Sequence, residues 1–330
     1  MSKHHFVAVG GTGQHVALGY ADLAVLSEWF CPRQPTTFWL VDADATGSKE
    51  GRSAWEELLQ QMSFLRRRTE GGAYQWPDPT LNHHKPFIDV PNKGTFGEIV
   101  DPGAGSVFFG EQQKRVPYAN GYYGHAAVAS TVFGEILRDL NGTVTQDGAA
   151  SGVGATEERV QERRARHGDN GGRLATLLNG PSRDQGARVV VAGSAVGGTG
   201  SGCVPRLVEE ISRGVGVDRK PLALLYLPWF RLDGNDDAHR RNQDMVARMS
   251  SGLLYYRDRL SEHAAAVLIG HPNIEATNRP RRWAGDTNQT VHDELALPLY
   301  GAAVAAQYFD ATKPPRPALY TIASPQRRSA

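Results

Sequence analysis

Cysteine is scarce: in 330 residues there are two, Cys31 and Cys203. Far apart and alone, they offer no disulfide framework and no metal quartet, and the count fits a reducing, cytoplasmic setting. Long apolar runs are missing too. No stretch approaches the ~20 uninterrupted apolar residues of a membrane span. The start of the chain has no basic segment leading into a long apolar one, so no signal peptide is expected. Charge of one sign is also lacking: 36 Lys and Arg face 35 Asp and Glu, a net charge of +1. That balance gives no electrostatic case for nucleic acid or an anionic membrane as a partner. What remains is ordinary globular composition, with 40% apolar and 22% charged residues, in a chain long enough for one large core or two modest ones.

Short apolar runs alternate with helical patterns along the chain. Strands are predicted at Phe6 to Val9, Thr36 to Val41, Val189 to Ala192, Leu222 to Leu227 and Ala264 to Ile269, with weaker ones at Pro86 to Val90 and Phe96 to Val100. Helices are predicted over Gln14 to Phe30, Ser53 to Arg68, Gly124 to Leu140, Val204 to Arg213, Arg240 to Leu260 and about Asn288 to Phe309. Residues 141–186 turn polar and glycine-rich and read as a flexible insertion. The alternation predicts an α/β fold of Rossmann-like type: three layers, a parallel sheet with helices on both faces.

In such a sheet, ligands sit beyond the carboxyl ends of the strands. Two glycine-rich segments fall there. Gly10-Gly11-Thr12-Gly13-Gln14 follows the first strand, and Gly197-Gly198-Thr199-Gly200-Ser201-Gly202 follows the strand at Val189. Strand, glycine turn and helix start form an arrangement suited to phosphate, because glycines admit a close approach and helix N-terminal amides face the anion. Neither segment ends in the lysine of GxxxxGK[ST], which excludes the Walker pattern. The first segment has Val16 where GxGxxG needs its third glycine. Asp42 and Asp44 follow the second strand, where an acid either caps the next segment or binds a ribose.

Taken in order, these motifs resemble those of the tubulin/FtsZ family, in its bacterial tubulin-like branch. Gly197 to Gly202 is similar to the family's GGGTGSG loop with Val196 in place of one glycine. Gly10 to Gln14 resembles its first phosphate loop, Asp42-Ala43-Asp44-Ala45 its NTDA segment, and Gly103-Ala104-Gly105-Ser106 its GAGA loop. Pro228 to Gly234 resembles PFxFEG with one extra residue, His271-Pro272-Asn273 resembles IPN, and His292-Asp293-Glu294-Leu295 resembles NDVL. The resemblance implies a GTP-binding domain over residues 1–310 and GTP or GDP as ligand, with Mg²⁺ as counter-charge. Asp233 would bind the ribose, Asn273 the base, and Asp293 the guanine edge.

The chain departs from the family after its last helix. The family's NxDxxD loop, which enters the next subunit's nucleotide site, has no counterpart in Asp310-Ala-Thr-Lys-Pro-Pro-Arg-Pro317. No catalytic residue is therefore identified. Residues 311–330 read as a proline-rich tail, and the family's second domain is expected to be absent. The implied function is a nucleotide-dependent switch, scaffold or filament component. Its GTPase activity would be weak or partner-dependent, and it would assemble with itself or a companion protein. The rival reading is an NAD(P)- or FAD-binding oxidoreductase using Gly10 to Gly13 for the pyrophosphate.

Overall fold

Seven short, mostly apolar runs build one sheet, and the segments between them supply its helices. The computed structural model describes residues 4–26, 36–42, 87–89, 96, 109–115, 122, 125–141, 168–183, 186–215, 219–228, 236–270, 296–310 and 319–322. In chain order the elements begin with β1 (His4–Val9), α1 (Gly10–Leu26), β2 (Thr36–Asp42) and β3 (Phe87–Asp89). Then come α2 (Glu111–Lys114), α3 (Ala126–Asn141), α4 (Gly168–Arg183), β4 (Val189–Ser194) and α5 (Gly198–Val215). The last are β5 (Leu222–Tyr226), α6 (Asp236–His263), β6 (Ala265–Ile269), α7 (Ala296–Asp310) and β7 (Leu319–Ile322).

The strand order is β3-β2-β1-β4-β5-β6-β7, and every neighbouring pair is parallel. A parallel sheet is covered on both faces, so its strands need apolar residues pointing both ways. β1 does this with a period of two. Phe6 and Ala8 enter one core with α1 and α7, while Val7 and Val9 enter the other with α3, α4, α5 and α6. The fold is thus a three-layer α/β sandwich of the expected class.

Three expectations are refined by the described residues. Within residues 141–186, read as an insertion, 168–183 is helix α4. Its Leu174, Leu177 and Leu178 recur at three- and four-residue spacing and are buried in the larger core. Residues 311–330 are not simply a tail either. Leu319 to Ile322 pairs with β6 in the register Ala266↔Leu319 to Ile269↔Ile322 and completes the sheet. A Leu-Tyr-Thr-Ile run is good strand material, and the β6 edge offers it unpaired backbone groups. The strand expected from Phe96 also fails at its first residue, which is helical and buried.

Helix α7 lies close to the sheet because its contact face is small. Gly301, Ala302, Ala305 and Ala306 let it approach. The Tyr226 hydroxyl donates to the Leu297 carbonyl at 3.0 Å. At the other end Arg188 donates to the carbonyls of Tyr308 and Phe309, and the Tyr308 hydroxyl donates to Lys220 O at 2.8 Å. Pro298 falls in the first turn, where its missing N–H breaks no helical bond.

A methyl group at Gly301 would lie 1.9 Å from the Tyr226 hydroxyl oxygen. Tyr226 is fully buried and cannot swing aside. Gly301→Ala should therefore lower stability by about 1–3 kcal/mol in urea denaturation. Adding Tyr226→Phe, which removes the obstructing oxygen, should recover part of that loss.

Candidate functional site

The chain leaves β1 for β2 on one side of the sheet and reaches β4 on the other, so β1 and β4 flank the point where strand order reverses. Clefts beyond the carboxyl ends of the strands open at such a point. Both glycine segments sit there. α1 begins at Gly10, directly after β1, and α5 begins at Gly198, four residues after β4 ends at Ser194. Their first turns meet: a Cβ placed on Gly10 would lie 3.4 Å from Thr199 Cβ and 3.5 Å from Gly200 N. The segments read as loops from sequence are largely the opening turns of the two helices.

The glycines divide into two groups. Four are fixed by packing. A Cβ on Gly13 would sit 2.4 Å from Ala192 O, one on Gly200 2.6 Å from Ser194 N, one on Gly193 2.7 Å from Val204 Cγ2, and one on Gly202 2.5 Å from Ala129 Cβ. These positions let α1 and α5 press onto strand ends and let α3 press onto α5. Two others serve the opening. Gly10 has φ +67°, a left-handed conformation that favours glycine. Gly11 is exposed, and a Cβ there would meet nothing within 4 Å.

Hydrogen bonds decide which amides are already used. The Ser194 hydroxyl accepts from Val196 N at 3.1 Å and Gly197 N at 3.0 Å. The Gly197 carbonyl then accepts Ser201 N at 2.8 Å and the Ser201 hydroxyl at 2.5 Å. A helix leaves the amides of its first turn without intrahelical partners. Those of α5 are Gly198, Thr199 and Gly200; Gly11 and Thr12 are their counterparts in α1. Helix N-termini concentrate positive potential, so this pair of turns suits an anion. Ser194 was not among the sequence candidates. Its place just ahead of a glycine run is the signal of a side-chain-capped turn.

Behind the turns, Gln14 Nε2 donates to Asp42 Oδ2 at 2.7 Å, joining α1 to the end of β2. Both side chains are buried. Burial, and then the Asp42 carboxylate, push the Cys203 thiol well above its usual range. Cys203 therefore stays a neutral thiol and is no nucleophile.

Of the sequence candidates, the structure brings together Gly10, Gly11, Thr12, Gly13, Gln14 and Asp42 with Gly197, Gly198, Thr199, Gly200, Ser201 and Gly202. Asp44, Gly103, Ala104, Gly105, Asp233, Asn273 and Asp293 lie outside the described residues. Among the described residues no group of three or more His, Cys, Asp or Glu could hold a metal, and no helix is long and apolar enough to cross a membrane.

Among solved structures, this chain is similar to an empty FtsZ dimer from M. jannaschii, with 13% sequence identity and a TM-score of 0.39. The likeness covers 93% of this chain and 53% of that one, so the chain spans about half its length. No family model matches the chain, and no curated protein matches it.

The two glycine groups should respond oppositely to a methyl group. Gly13→Ala drives a Cβ into the Ala192 carbonyl and should cost about 2 kcal/mol or more. Gly11→Ala meets open space and should leave stability unchanged or raise it by ~0.5–1 kcal/mol, the helical preference of alanine over glycine. Thermal and urea denaturation of the two variants check this directly.

Proposed function

We propose that this chain binds a guanine nucleotide, GTP or GDP, in the manner of tubulin-like proteins. It would act as a nucleotide-dependent switch, scaffold or filament component, together with further copies of itself or a companion protein. The observation that carries this reading is the contact between two lysine-free glycine turns at the strand-order reversal, with Gly11 open beside them. A polyphosphate would lie across both turns, taking N–H groups from Gly11 and Thr12 on one side and from Gly198 to Gly200 on the other. The Thr12, Thr199 and Ser201 hydroxyls would add donors.

Main-chain amides carry only partial charge, so a triphosphate needs a further cation. Mg²⁺ would supply it, bound chiefly to phosphate oxygens and water. The oxygens of Asp42 and Gln14 are the hard donors such an ion accepts. With no metal cluster among the described residues, the ion would arrive with the nucleotide. Gly103 to Gly105 would complete the phosphate wall with Asp44 nearby. Asp233 would accept from the ribose hydroxyls, Asn273 would contact the base, and Asp293 would accept from N1–H and the exocyclic amine of guanine. With no NxDxxD pattern after α7, hydrolysis would be weak or would depend on acids from another protein.

A dinucleotide reading draws on the same strand order and on an acid at the end of β2. Against it, the first segment has Val16 where GxGxxG needs its third glycine. A pyrophosphate on the α1 turn alone would also leave the second glycine turn without a role.

Thermal shift with GTPγS, GDP, ATP and NAD separates the readings. At 100 times Kd a ligand adds about 2.7 kcal/mol of stability, and GTPγS and GDP should do so where NAD does not. Gly11→Asp places a carboxylate at the open amide. It should abolish the GTPγS shift while leaving the unliganded protein as stable as before, because an acid at a helix N-terminus is favourable. A shift from NAD alone would retire the guanine-nucleotide reading.

A further inference from the structure

Ser201 closes the first turn of α5, and its carbonyl lacks the partner that a helix normally provides. The donor four residues on is Pro205, which sits inside α5 and has no N–H. A proline ring also crowds the carbonyl four residues before it, tilting that group outward. The vacancy is filled from another helix: the Tyr256 hydroxyl, on α6, donates to Ser201 O at 2.9 Å. Tyr256 is 2% exposed, and burial pushes its hydroxyl above the usual range, so it remains a protonated donor. One turn earlier on α6, Gly252 faces the start of the same segment, where a Cβ would lie 3.8 Å from Ala195 O. A single helix thus donates to the segment at Ser201 and runs beside it at Ala195.

We infer that Tyr256 is a positioning residue for the phosphate-binding turn: α6 supplies the hydrogen bond that Pro205 withholds, and so fixes the direction in which Gly198, Thr199 and Gly200 present their amides. The ligand in this statement rests on the nucleotide reading above; the brace itself does not. Ser201 is tied at three points, through its N–H and hydroxyl to Gly197 O and through its carbonyl to Tyr256. Loss of the third leaves a part-buried carbonyl to seek a new partner, and the turn rotates to meet that demand. The amides of Gly198, Thr199 and Gly200, in the same turn, rotate with it.

The test uses the full chain as Tyr256→Phe, Pro205→Ala and the double variant. Two readouts are taken: amide hydrogen exchange without nucleotide, and GTPγS affinity. Tyr256→Phe keeps the ring and removes only the donor. It should speed exchange at Ser201 to Val204 roughly tenfold and weaken GTPγS binding roughly five- to tenfold. In the double variant, Pro205→Ala restores a helical N–H to Ser201 O, and both quantities should return to within about twofold of the unaltered chain. A purely structural tyrosine would show no such rescue. Unchanged exchange in Tyr256→Phe would overturn the brace. Faster exchange with undiminished GTPγS affinity, or a loss that Pro205→Ala does not repair, would overturn the positioning role. An unaltered chain that fails to bind GTPγS would overturn the nucleotide reading instead, and the exchange comparison would still decide the brace.

Discussion

Where β1 and β4 run side by side, α1 and α5 set their opening turns against the ends of these strands, and side chains at a few positions would prevent it. Gly13 lies against Ala192 and Gly200 against Ser194, each too close for a Cβ. Because those contacts are backbone on backbone, they hold two helix N-termini from opposite faces of the sheet next to one another. Every later feature of the candidate site depends on that proximity: the meeting of Gly10 with Thr199, the opening at Gly11, and the convergence of first-turn amides.

A second layer of polar contacts keeps those turns in place. Ser194 takes up the amides of Val196 and Gly197, Gln14 ties α1 to Asp42 on β2, and Tyr256 reaches Ser201 from α6. Buried polar groups of this kind are costly when unmet and directional when met. They account for how a glycine-rich segment, flexible by composition, takes one ordered conformation.

The five principal strands were legible because buried parallel strands need continuous apolar runs, and only their ends moved by a residue or two. α4 was hidden by glycine, asparagine and aspartate around its three buried leucines, which lower helix propensity while leaving the packing contacts intact. β7 was hidden by its length of four residues and by the prolines before it. The glycine segments pointed to the candidate site, but not to which glycines pack and which stay open. Gly13 and Gly202 look the same in sequence as Gly11, and only the positions of Ala192 and Ala129 separate packing from opening. Pro205 and its stand-in donor Tyr256 lie on different helices, far apart along the chain, and their partnership leaves no local pattern to read.

The central claim is that bare main-chain amides from two helix starts grip one polyphosphate together. The most direct measurement is a titration of the isotopically labelled chain with GTPγS, following individual amide resonances. The account predicts that Gly11, Thr12, Gly198, Thr199 and Gly200 shift in concert along one saturation curve. Saturable binding that moves resonances elsewhere, with either turn left silent, would contradict it.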